Sequence, residues 1–383
     1  MSEVAPPRKE RLAFIDVLRG WAVLWMIETH VVNACLAEPY RQGWLFGLLE
    51  LSNGFVAVTF LFCAGSGVWL AASRKAEEFR RFGPELWKYL RRLGFILLLG
   101  YELHLPANSW NKLVKLPPDR LLMLFRSDIL HIIALSALLA LVVVMLVRRP
   151  RAAAWTCAAL ALACFLAAPW VWWTRSYHAL PVPLAALFAP PPESQFPMLP
   201  WAGYLFAGAA ATAFFMGARD RVRMAQLYIA VGLVVPLAAF ALKAVDWPPV
   251  SDWFWWRMWP GHSLFRTGGT MLFFASLYLV NDWLGRSRLG GFLQRCGQES
   301  LFIYFWHLVI VYGSVWNTGL SFLYQKELQP LPAVLITAAT VGAMYFTAMM
   351  WREYKTRQPR RAFWTLLTLG ILFMAVFFLN PVP

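Results

Sequence analysis

The chain has 383 residues, 60% of them hydrophobic and only 14% charged, with a formal net charge of +15. A soluble globular domain carries roughly 25% charged residues. The composition therefore excludes one and points to an all-α polytopic membrane protein, and the short alternating strands of a membrane barrel are not seen. The excess positive charge lies in the connections between apolar segments, so it predicts membrane orientation and gives no reason to expect nucleic acid as a partner.

The N-terminal tail, residues 1–10 (MSEVAPPRKE), is mixed in charge and has no small-residue cleavage motif, so it reads as a cytoplasmic tail and not as a removable signal. The first apolar segment, 12–36, is long enough to span a bilayer, yet it holds Asp16, Arg19, Glu28, Thr29, His30 and Asn33. An ionisable residue at membrane depth costs roughly 2.5–3.5 kcal/mol on insertion scales, so these residues need partners and a task. Further apolar segments follow at about 53–73, 89–105, 129–147, 152–173, 198–218, 224–243, 262–283, 299–319, 331–351 and 362–379. About eleven transmembrane helices are thus expected in a single integral-membrane domain, 1–383.

Most of the basic residues fall on alternate connections, among them Arg74, Lys75, Arg91 and Arg92, the run Arg148, Arg149 and Arg151, and the C-terminal set from Arg352 to Arg361. The positive-inside rule then places the N-terminus in the cytoplasm and the C-terminus outside. Residues 106–128 break the charge pattern and read as a folded or re-entrant loop. Two outer loops have character. Residues 174–197 are proline-rich and predict a stiff, extended connection. Residues 244–261 carry a tryptophan cluster that suits the membrane interface or stacking against sugar rings. The five cysteines lack metal-ligand spacing and read as small buried hydrophobes, and no metal is expected.

Depth along the segments sorts the polar residues into two groups. Towards the outer ends lie Glu28 and His30, Glu102 and His104, Asp128 and His131, and His262 with Arg266. A histidine backed by a carboxylate is a general base, so His30, Glu28, Asp128, His131 and His104 are the candidate catalytic residues. Their other reading is hydrogen-bonded glue between helices. Towards the cytoplasmic ends lie Asp16 and Arg19, which share a helix face, together with Arg91, Arg92, Glu299 and His307. Gly65, Ser66 and Gly67, followed by Arg74 and Lys75, allow close approach of a backbone or of a phosphate-bearing ligand.

The stretch RLAFIDVLRGWAVLWMIETH, Arg11 to His30, resembles the first-helix signature of the membrane acyltransferase superfamily. FLFCAGSGVWLAASRK, DILHIIALSALLA and FPMLPWAGYLFAGAA resemble later motifs of its heparan-α-glucosaminide N-acetyltransferase-like branch, related to the acyltransferase-3 proteins, and LFIYFWHLVIVYG resembles a late histidine helix of both groups. The resemblance implies a transmembrane acyltransferase that moves an acyl group, acetyl first among them, from cytoplasmic acyl-CoA to a hydroxyl or amine of an extracytoplasmic sugar. It implies a donor site at Asp16, Arg19, Ser66, Arg74, Arg91, Arg92 and His307, with His30 as the base, since the loop 37–52 holds no histidine. The expected partners are acyl-CoA, a saccharide or lipid-linked sugar, membrane lipids and, as an option, a second copy in a homodimer. The expected location is a bacterial inner membrane. Two alternatives stay open, a proton-coupled transporter and a CoA-independent membrane enzyme of lipid or isoprenoid processing.

Overall fold

The computed structural model describes residues 12–191, 193–244 and 259–379. The N-terminal tail and most of the tryptophan-rich loop 244–261 lie outside these residues. The described chain is almost wholly helical. In chain order the helices are α1 (Ala13–Cys35), α2 (Gly43–Asn53), α3 (Val56–Arg80), α4 (Pro84–Leu103), α5 (Trp110–Leu113), α6 (Pro118–Leu121), α7 (Ile129–Leu146), α8 (Pro150–Thr174) and α9 (Val182–Phe188). They continue with α10 (Met198–Gly217), α11 (Arg221–Ala244), α12 (Pro260–Leu279), α13 (Asn281–Arg286), α14 (Arg288–Gln298), α15 (Ser300–Tyr312), α16 (Leu320–Tyr324), α17 (Pro330–Arg357) and α18 (Pro359–Leu379).

Each expected segment holds a helix. Seven described helical segments are long and apolar enough to cross a membrane: Gly43–Arg80, α7, α8, α10, Arg221–Ala241 of α11, α17 and α18. Polar and charged residues lower the hydropathy of α1, α4 and α12, and α15 is only 13 residues long. The segment expected over 299–319 stops at Tyr312, because Gly313 takes φ +81° and a two-residue hairpin follows, Gly313–Ser314 pairing with Asn317–Thr318. Left-handed backbone of this kind is open to glycine at little cost and ends a helix.

The proline-rich connection is not extended throughout. It folds into a 3₁₀ turn at Ser176–Ala179 and the short helix α9. Pro181 stands at the cap of α9 and Pro183 in its first turn, where a missing N–H costs nothing. The 106–128 stretch is likewise folded into short turns, α5 and α6.

Glycines set the helix crossings that frame the interior. A Cβ on Gly20 of α1 would fall 1.8 Å from the Leu293 carbonyl oxygen of α14, and one on Gly297 would fall 1.9 Å from the Asp16 carbonyl oxygen. The α3–α10 crossing is built the same way, with Gly65 against the Leu205 carbonyl and Gly208 against the Phe62 carbonyl. Without a hydrophobic drive between helices in lipid, such backbone contact supplies the packing energy. The main core gathers residues of α1, α3, α4, α7, α10, α15 and α17, including Val23, Ile27, Leu61, Ile132, Leu205 and Ile303. Cys35, Cys63, Cys157 and Cys296 are buried and Cys164 partly so, all as free thiols.

Candidate active site

Three cavities lie in series between these helices. The first, about 260 Å³, is walled by α1, α3, α4, α7 and α15, with Arg19, Tyr89, Arg92, Ser300 and Tyr304 as its polar lining and Ala64, Gly67, Val68 and Ile133 among the apolar. The second, about 340 Å³, is lined by His30, His104, Asp128, Gln195, Tyr304 and Tyr312 among apolar side chains such as Met26 and Leu308. Phe60, Ile129 and Tyr304 belong to both walls, so the two cavities adjoin there. The third, about 380 Å³, is lined by Thr29, His30, Asn53, Trp172, Gln195, Phe196, Trp201 and Arg266. His30, Val56, Ala57, Gln195 and Phe196 line both it and the second.

His30 is therefore the titratable side chain common to the second and third cavities. Its Nδ1 lies 2.9 Å from the Tyr312 hydroxyl, and its ring centroid is 5.3 Å from that of His307. Depth along the sequence assigns His307 to the cytoplasmic group, but the structure sets it beside His30. The reason is geometric: α15 begins only at Ser300, and seven residues at 1.5 Å each carry His307 about 10 Å along it. A backbone carbonyl can only accept, so the 2.8 Å contact to the Ile303 oxygen puts a proton on His307 Nδ1 and leaves the lone pair of the neutral ring on Nε2. That buried nitrogen has no hydrogen-bond partner among the described residues.

Asp128 organises the wall of the second cavity. It is the N-cap of α7, accepting from the Ile129 N–H, while its own N–H donates to His131 Nδ1 at 3.1 Å, a capping box. The same carboxylate accepts from the Tyr304 hydroxyl, at 3.0 and 3.3 Å to its two oxygens. His104 Nε2 stands 3.6 Å away. His131 thus has one ring nitrogen committed to a helix end, and its ring is wedged against Gly100, where a Cβ would fall 2.8 Å from it. Glu28 sits beside the Asn53 amide without a hydrogen bond of good geometry and lines none of the three cavities.

The expected donor residues separate. Arg19 and Arg92 line the first cavity, and Arg19 also pairs with Asp16 at 3.8 Å and donates to the Cys63 carbonyl at 3.4 Å. Asp16 stands behind it, accepting from Gln298 at 3.3 Å. Of the glycine–serine break, only Gly67 faces this cavity. Gly65 packs on α10, and Ser66 is fully buried in that crossing, donating to the Phe62 carbonyl and accepting from Thr212 at 2.8 Å. Arg91 is exposed and lines none of the three cavities, and Arg74 lines a separate one. Glu299 pairs with Lys355 at 2.5 Å and not with Arg91 or Arg92.

Several lining residues went unmarked by the sequence reading: Tyr304, Tyr312, Gln195, Trp172 and Asn53. Tyr304 and Tyr312 sit in and beside the late histidine helix, and that motif is the one signal that pointed towards them. Among the described residues, no three His, Cys, Asp or Glu side chains are grouped to hold a metal ion.

Residues 11–245, more than half of the chain, match the family described as heparan-alpha-glucosaminide N-acetyltransferase, catalytic. The chain belongs to this family. Membership makes it an acetyltransferase-type enzyme, and its apolar helices make it an integral membrane protein. No curated protein matches the chain. The matched region carries α1 through α11, including His30, Asp128 and both arginines of the first cavity. Tyr304 and Tyr312, which line the second cavity, and His307, beside His30, come from α15, outside the match.

Proposed function

We propose that the enzyme takes an acetyl or other acyl group from cytoplasmic acyl-CoA and transfers it to a hydroxyl or amine of a sugar on the far side of the membrane. The observation that carries this reading is the series of three adjoining cavities, which share first Phe60, Ile129 and Tyr304 and then His30 in their walls. A donor and an acceptor entering from opposite ends would meet there.

In this reading the first cavity takes the donor, with Arg19 and Arg92 on its phosphates, guanidinium being suited to phosphate oxygens. The pantetheine arm passes between Phe60, Ile129 and Tyr304 and brings the thioester carbonyl into the second cavity. The acceptor sugar enters the third cavity, its ring stacked on Trp172 or Trp201 and its hydroxyls bonded by Asn53 and Gln195. His30 removes the proton from the acceptor hydroxyl or amine, and the freed lone pair forms a bond to the thioester carbon. The tetrahedral intermediate collapses, the C–S bond breaks, and the imidazolium of His30 returns the proton to the departing thiolate. Tyr312 holds the ring of His30. Asp128, with His104 and Tyr304, supplies the fixed negative charge that favours the imidazolium. His131 and Glu28 support the site from behind.

The reading carries a topology: eleven spans, N-terminus cytoplasmic, C-terminus outside, in a bacterial inner membrane. Its test is direct. Purified protein is incubated with radiolabelled acetyl-CoA and glucosamine, which offers both an amine and hydroxyls. Labelled acetyl-glucosamine and free CoA are the expected products. Failure of acetyl-CoA to bind the folded protein, scored by thermal shift, would sink the proposal and favour a reaction that does not use CoA.

A further inference from the structure

Helix α3 has a second lined face. Between its C-terminal half, the end of α7 and the start of α8 lies a cavity of about 480 Å³ that shares no lining residue with the first. Trp69, Val144, Val147 and Ala153 make its apolar side, and Arg74 and Arg148 stand on its exposed rim.

The charges in this wall are unequally committed. Arg80 donates to the Val144 and Met145 carbonyls at 2.9 and 3.0 Å, closing the end of α7, and pairs with Glu77 at 2.7 Å. Lys75 is paired with Glu85. Glu78 accepts from the Glu85 N–H at 3.2 Å. Both carboxylates are thus engaged. Arg148 makes no ion pair or side-chain hydrogen bond among the described residues.

We infer that this cavity is a binding site for the phosphate headgroup of an anionic phospholipid. An apolar wall with a cationic rim matches an amphiphile that carries phosphate, and basic pockets between helices on the cytoplasmic side take such headgroups. The surface beside the cavity is apolar and open, with Leu146 76% and Trp155 66% exposed, and gives the acyl chains a place to lie. A donor held in the first cavity would lie against the other face of α3. The inference does not depend on the transfer reaction.

The full-length protein in neutral detergent is heated with dioctanoyl phosphatidylglycerol, with dioctanoyl phosphatidylcholine, with inorganic phosphate or with CoA. Wild type is compared with Arg148→Gln and with Arg149→Gln, the neighbouring exposed arginine that does not line the cavity. Phosphatidylglycerol is expected to raise the melting temperature of wild type and Arg149→Gln more than phosphatidylcholine does. That rise shrinks by more than half in Arg148→Gln, and CoA acts equally on wild type and Arg148→Gln. An unchanged rise in Arg148→Gln, an equal rise with phosphatidylcholine, or an equal rise with inorganic phosphate would overturn the inference. So would a CoA effect lost in Arg148→Gln, which would assign the cavity to the donor.

Discussion

The Tyr304 hydroxyl of α15 donates to Asp128 at 3.0 Å, tying α15 to the N-cap of α7. Both side chains are buried, and Tyr304 also lines both of the first two cavities. One hydrogen bond therefore fixes the helix cap, the wall shared by these cavities and the carboxylate beside His104. Tyr304→Phe keeps the ring and removes the bond. A hydrogen bond to a charged group is worth about 1.5–3 kcal/mol, so a loss of stability of that order is expected, measured by denaturant unfolding in detergent. Transfer falls with it, because the carboxylate loses its fixed orientation. Unaltered stability would mean that Asp128 finds another partner.

Gly65 and Gly67 differ by two positions and face different neighbours. A Cβ at Gly65 would fall 1.9 Å from the Leu205 carbonyl oxygen, backbone that cannot retreat. A Cβ at Gly67 meets only the Arg19 guanidinium, at 3.7 Å, an ordinary contact. Gly65→Ala is expected to abolish folded yield, and Gly67→Ala to fold normally with weaker acyl-CoA binding. Size-exclusion profiles and CoA titration separate the two, and equal yields would contradict the α3–α10 crossing.

Ser66 and Arg92 make a similar contrast. Ser66→Ala loses a buried bond to Thr212 and should cost about 1 kcal/mol of stability with no change in CoA affinity. Arg92→Ala should leave stability unchanged and weaken CoA binding about tenfold, the equivalent of roughly 1.4 kcal/mol. Isothermal titration with CoA checks both. The reverse pattern would return Ser66 to the donor site.

Glu85 holds the elbow between α3 and α4. Hydrogen bonds from Lys75 and Lys88 draw its carboxyl from the ordinary 4.5 down to about 2. A folded value below the unfolded one means that the contribution is fully present above about pH 4.5 and is lost as the pH falls towards 2. Hydrogen exchange across residues 81–86 should accelerate in that window, and in Glu85→Gln it should show no such step.

Much of this arrangement was legible in the residues. Each helix expected from hydropathy is present, because runs near 20 apolar residues have few other uses. Helix α2 falls where hydropathy predicts only a loop, since the eleven residues Gly43–Asn53 are too short to stand out as a span. Helix α15, in the ninth segment, ends before its apolar run does, because the turn at Gly313 interrupts it. Grouping by depth brought His30, His104 and Asp128 to one level, and the structure joins them in one cavity. It misplaced His307, because depth along a helix depends on where the helix starts. It also could not divide Ser66 and Arg74 from Arg19 and Arg92, because which face of α3 meets which neighbour is a matter of packing and not of sequence spacing.

In the proposed reaction an acyl group crosses at His30 from a donor on one side to an acceptor on the other. The enzyme is reconstituted in sealed vesicles with glucosamine trapped inside and radiolabelled acetyl-CoA added outside. The account predicts labelled, trapped acetyl-glucosamine for the wild type, and none for a His30→Ala variant that still folds and binds CoA. Label that appears only when donor and acceptor share a compartment, or that persists in His30→Ala, would contradict it.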